Sequence, residues 1–229
     1  RRSRGLGDVY KRQFLFLSCE REKKMEKPIF SEIRNPLDKE EIKKSTIAKA
    51  RELTSLWIVN GVAKDKFLDF ESGKVFSGWV KRTMSDGSIS LLFECKDGFR
   101  DGIETSWFAN GKKFCVRNWK EGIREGPYEI WYAHGMVKER GYNEDNLQHG
   151  KLENFYGDGT RKSEFQFRRG KLWMAKRWKP DGSLCPVSTI RDGIGILVRY
   201  DEVNQSPEDN QTYRAVSYTH LTLPTSYAV

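Results

Sequence analysis

From residue 78 to about residue 200, apolar and polar side chains alternate in runs of eight to ten residues. This is the period-two signature of strands that bury one face. In Gly126-Pro127-Tyr128-Glu129-Ile130-Trp131-Tyr132, Tyr128, Ile130 and Tyr132 fall on one face, with Glu129 and Trp131 on the other. A turn dipeptide separates the runs at Asp86-Gly87, Asn110-Gly111, His134-Gly135, Asp158-Gly159 and Asp181-Gly182, with glycine spacings of 24, 24, 24 and 23. A second series, Gly78, Gly102, Gly126 and Gly150, keeps the 24-residue period. A third, Gly98, Gly122, Gly170 and Gly193, keeps the phase, with Asn146 in the missing place. Asn-Gly and Asp-Gly are favoured two-residue hairpin loops, because a type I′ turn needs positive φ at both central residues. The pattern therefore predicts a repeat of strand, tight Asx-Gly turn, strand and looser turn, five copies extending one long antiparallel sheet.

In-register stacking of the repeats sets up two aromatic ladders. One is Trp107, Trp131, Phe155 and, after the one-residue slip, Trp178; its neighbour on the opposite face is Phe108, Tyr132 and Tyr156. Cross-strand rings contribute roughly 0.2–1 kcal/mol per pair, enough to help hold a sheet with little depth of core. The same rings, left exposed, would form a groove that grips a peptide or partner strand, and tyrosine suits such a half-wet face. Both readings stay open for these seven residues.

The motif Gly-x-x-x-x-Trp-Tyr/Phe-x-Asn/Asp-Gly-Lys, followed about eleven residues later by Gly-x-x-x-Gly, is clearest in residues 102–112, 126–137 and 150–161. It resembles the MORN-repeat variant of the YwqK-type antitoxin family, over about residues 68–202. The first copy departs from it, with Thr83-Met84 in place of the aromatic pair, and the last is shortened at Pro186. Degenerate end copies are expected where a repeat meets water instead of a neighbour. The resemblance implies a β-hairpin solenoid used for protein association, antitoxin-like, with membrane attachment as a property of related repeats.

Upstream, Ile47, Ala50, Leu53 and Trp57 are spaced as an apolar helical stripe. Asp38 and Glu41 suit a capping box and Gly61 a C-terminal cap, so a helix is expected over 38–60 within an N-terminal segment 14–67. It would cover the first hairpin or serve as a partner helix. Residues 203–214 are polar and turn-rich and read as a tail. Residues 1–13 and 215–229 fit no period and resemble conceptual translations of sequencing-library adapter, so they are expected to be non-native extensions, with Met25 as a native start.

That expectation lowers the charge. Of the formal +9, five basic residues and one acidic among residues 1–13 supply +4 and residues 215–229 none, leaving +5 on 14–214. Nucleic acid is accordingly not expected as a partner, and neither a stacking platform nor a recognition helix accompanies the charge. Basic residues do cluster at Lys112-Lys113, Arg161-Lys162 and Arg168-Arg169. Aligned along one edge, they would protect it from sheet-to-sheet pairing or contact an anionic membrane surface.

The four cysteines lie far apart without a CxxC pair and read as isolated thiols of a reducing, cytoplasmic compartment. His134 and His149 sit in turns, and no nucleophile elbow, phosphate loop or HExxH motif occurs. No catalytic residue, metal or cofactor is assigned. The chain reads as a mainly β, non-catalytic scaffold that binds a protein or peptide, with an anionic membrane surface as the alternative. Self-association through a sheet edge or the N-terminal helix is compatible with it.

Overall fold

A computed structural model describes residues 35–60, 64–199 and 214–217. The expected extension 1–13, the start at Met25, the cap at Gly61, and residues 203–213 and 218–229 lie outside the described residues. The chain enters through a 3-10 turn, Pro36–Asp38, and the helix α1 (Glu40–Lys49). Then come β1 (Arg51–Glu52), a 3-10 turn at Leu53–Ser55, β2 (Leu56–Asn60) and β3 (Asp65–Asp69). The repeat region supplies β4 (Gly78–Thr83), β5 (Ile89–Lys96), β6 (Phe99–Trp107), β7 (Lys113–Lys120), β8 (Ile123–Trp131) and β9 (Val137–Glu144). It continues through β10 (Leu147–Gln148), β11 (Gly150–Phe155), β12 (Arg161–Arg168), β13 (Lys171–Trp178), β14 (Leu184–Arg191) and β15 (Ile194–Arg199). Finally β16 (Arg214–Ser217) pairs with β15, so the boundary expected at Ala215 does not coincide with the end of the sheet.

One 14-stranded sheet results, running from β1 through β4 to β16 in sequence order, with β10 folded back on β9. Every pairing is antiparallel except β1 beside β4. β2 and β3 form a separate two-stranded sheet. Cross-strand register fixes the two faces, since paired residues share a side. One face carries the row Val80, Phe93, Glu104, Arg117, Tyr128 and Gly141. The other carries Leu92, Thr105, Val116, Glu129, Arg140, Glu153, Glu164 and Lys176.

The helix is shorter than its apolar stripe predicts. Helical backbone stops at Lys49, and Ala50 is already extended. Beyond it the chain rounds the β4 edge as β1, so Ala50 packs with Leu37, Leu92 and Trp107 on one face while Leu53 packs with Leu56, Phe67, Val80 and Phe93 on the other. A continuous helix would keep both on one side, and burying both faces of the first hairpin overrides the helical period. Asp38 is likewise not the helix cap: Lys39 holds that place without a side-chain bond, and Asp38 pairs with Lys113. Asn35 caps the preceding turn, accepting from Leu37 N–H at 3.0 Å, and its amide donates to Thr105 Oγ1 at 2.9 Å.

The two turn types are also exchanged relative to the sequence expectation. The two-residue turns with positive φ at both centres are Asp97-Gly98, Glu121-Gly122, Asp145-Asn146, Arg169-Gly170 and Asp192-Gly193. At Asp86-Gly87 and its equivalents only the glycine has positive φ. There Gly87 N–H donates to Met84 O at 3.0 Å and Met84 N–H to Ser88 O at 2.8 Å, closing a three-residue loop in which glycine takes the left-handed place. The Asx side chain braces the loop instead, since Asp86, Asp158 and Asp181 each accept from the backbone N–H and hydroxyl two residues on.

Candidate functional site

The two ladders are built into the sheet by bonds that recur from hairpin to hairpin. Tyr132 Oη donates to Phe155 O at 2.9 Å, and Tyr156 Oη to Trp178 O at 2.9 Å. Each of these tyrosines of the second ladder thus ties its loop to the first-ladder residue of the next repeat. The second-ladder ring is covered by the residue six positions on: Phe114 meets Phe108 edge-on at 5.0 Å, Lys138 lies over Tyr132 at 5.5 Å and Lys162 over Tyr156 at 5.5 Å. His134 stacks on Tyr132, and its Nε2 lies 2.7 Å from Gly157 O, which gives this less usual turn residue a place in the same spine.

First-ladder rings carry cations. Lys43 lies over Trp107 at 5.1 Å, Lys113 over Trp131 at 5.7 Å, Arg140 over Phe155 at 5.2 Å and Arg161 over Trp178 at 5.2 Å. Trp107 is buried beneath the helical segment, whereas Trp131, Phe155 and Trp178 are half-buried. Beside them on the same face, Glu153 is 2% exposed and accepts from Arg140 Nε at 2.7 Å and Arg161 Nη2 at 3.2 Å, with Lys151 Nζ at 2.8 Å. Burial alone would raise its pKa, but the bonds from Lys151 and Arg140 and their charges hold it below the usual carboxylate value.

The basic residues do not form one stripe. Lys112, Lys113, Arg161 and Lys162 follow the three-residue loops, whereas Arg168 and Arg169 lie at the two-residue turn at the opposite ends of the strands. Lys112 Nζ donates to His134 O at 2.6 Å, and Arg168 stacks on Trp173 at 3.7 Å. Lys113, Arg161 and Lys162 hold the partners already described. Arg169 is exposed at a turn position with φ 47°.

What sequence reasoning missed is the β2–β3 hairpin. Trp57 (57% exposed) and Val59 (48%) project from the outer side of β2, and Phe70 (59%) lies against Trp57 with ring centroids 5.5 Å apart. The cross-strand register places Leu68 and Lys66 on that same side. The opposite side of the hairpin buries Leu56 and Phe67 on the sheet. A large apolar cluster left in solvent marks a contact surface more often than a single exposed ring does. The signal was present in Trp57-Ile58-Val59, three strong strand formers in succession, but the helical spacing of Trp57 from Leu53 masked it.

Cys95 and Cys115 are buried, and burial pushes the Cys95 thiol up to about 11 and raises that of Cys115, the opposite of nucleophile activation. Among the described residues no group of three or more His, Cys, Asp or Glu side chains is placed to hold a metal ion, and no helix is long and apolar enough to cross a membrane. Neither a protein-family model nor a curated protein matches the chain.

Proposed function

We propose that this chain is a non-catalytic protein-binding scaffold, a MORN-like β-hairpin solenoid whose contact surface is the outer face of the β2–β3 hairpin. The observation that carries the reading is the exposed cluster of Trp57, Val59 and Phe70. Those side chains add nothing to the cores beneath the hairpin, which are built from Leu53, Leu56 and Phe67. Large rings of this kind dominate binding energy when a partner desolvates them. Support for the solenoid comes from the period itself. Gly98 N–H donates to Phe76 O, Gly122 to Arg100 O, Asn146 to Arg124 O and Gly170 to Gln148 O, each bond spanning 22 residues. An antitoxin-like role is a special case of the same reading, in which the bound protein is a toxin.

The test is capture of proteins from lysate by the full chain and by a Trp57→Lys/Phe70→Lys variant. Because both residues are largely exposed, the variant should keep the wild-type melting temperature and lose the captured proteins. A folded variant that retains the same proteins would place the contact elsewhere.

A further inference from the structure

Among the described residues β2 pairs with β3 alone. The other edge of β3 is occupied, through Phe67 N–H to Gly98 O at 2.7 Å and a bridge from Leu68 to Val75. Among the described residues the outer edge of β2 is therefore the open edge of this hairpin, apart from the Leu56 N–H, which turns to Leu53 O, and its five residues, Leu-Trp-Ile-Val-Asn, carry no charge. Natural edge strands are guarded by charges, prolines or bulges against pairing with another chain, and β2 has none of these. Ile58 at its centre is 46% exposed.

We infer that β2 pairs antiparallel with β2 of a second copy of this chain across a two-fold axis through Ile58, joining the two hairpins into a four-stranded sheet. The inference rests on the proposed contact surface, which edge pairing would extend across two copies. Charge decides for a second copy over an acidic or anionic partner. The formal charge of the whole chain is +9, but the hairpin and its following turn set Lys64, Lys66 and Lys74 against Asp65, Asp69 and Glu71 and are neutral. Self-pairing there brings no excess of like charge together, and nothing local selects an anion. A two-fold contact needs a strand complementary to itself, and the centre of β2, Trp57-Ile58-Val59, is one. With Ile58 on the axis, Trp57 faces Val59 of the partner subunit, and both lie on the side that carries Phe70. Rings and β-branched side chains opposite each other are among the favourable cross-strand pairs.

Sedimentation equilibrium of the purified full chain tests this. The wild type should show a concentration-dependent dimer. Ile58→Lys and Ile58→Glu, which set like charges against each other on the axis, should each sediment as monomers, and their equimolar mixture should restore the dimer. Circular dichroism and melting of each variant report the fold; if Ile58→Lys melts early, Val59→Lys is the second variant and should also be monomeric. A monomeric wild type, variants that remain dimeric, or a mixture that stays monomeric would overturn the inference. A monomer that captures other proteins through Trp57 and Phe70 overturns it while leaving the scaffold reading intact. A dimer that captures none keeps this inference and removes that reading.

Discussion

Tyr156 shows how a single residue carries the repeat. Its ring is buried and its hydroxyl spans to the carbonyl of Trp178, so removing the oxygen deletes that bond. Tyr156→Phe should cost about 1–2 kcal/mol, read as a lowered denaturation midpoint at unchanged slope. The turn aspartates make a second residue-scale prediction. Asp86, Asp158 and Asp181 are held below their ordinary pKa, first by the hydroxyl of Ser88, Thr160 and Ser183 and then by the backbone N–H. Asp69 is pulled down to about 2 by Ser72 N–H, Arg51 and the Ser72 hydroxyl. A depressed folded pKa gives stability that is complete above the unfolded value, roughly 3.9, and is lost as pH falls through the folded value. Melting temperature should therefore drop as pH falls below about 4. Asp158→Asn should shrink that drop while keeping the turn, because Asn110 already accepts from Lys112 N–H at the equivalent place. An unchanged acid slope in this variant would show that Asp158 contributes nothing to it.

At the scale of elements, sequence located the turn glycines of the repeats but not Gly73 after β3, and could not say which repeat turn was the two-residue one. Asx-Gly suits either loop, and the choice is made by strand register, which pairs Lys96 with Phe99 and Lys120 with Ile123 across two residues only. The left-handed first positions are thus held by Asp97, Glu121, Asp145, Arg169 and Asp192. For a long side chain this conformation costs roughly 1–2 kcal/mol, and asparagine relieves part of it. Arg169→Asn should accordingly raise stability by about 0.5–1 kcal/mol in thermal or urea melts, with a fall instead showing that the arginine head makes a needed contact. The helix gives the complementary lesson. A helix was legible there, but of its expected stripe only Ile47 lies in the helix, because a one-dimensional period cannot foresee a chain that rounds a sheet edge and buries Ala50 and Leu53 on opposite faces.

For the whole molecule, the large antiparallel sheet was legible because its period-two alternation and 24-residue glycine series act at short range. The ladders were legible as positions but not as roles. Whether Trp131 is glue or grip depends on Lys113 above it, and whether Lys113 is a free cation depends on Asp38 far upstream. The β2–β3 surface was not legible, since its exposure follows from where the hairpin docks. The central proposal is a division of labour in which the ladders hold the sheet while the hairpin meets partners. The most direct measurement pairs melting temperature with protein capture for Trp131→Ala and for Trp57→Lys/Phe70→Lys. On this proposal Trp131→Ala melts earlier yet captures the wild-type set, while the hairpin variant melts normally and captures nothing specific. Loss of capture by a stably folded Trp131→Ala, with full capture by the hairpin variant, would contradict it.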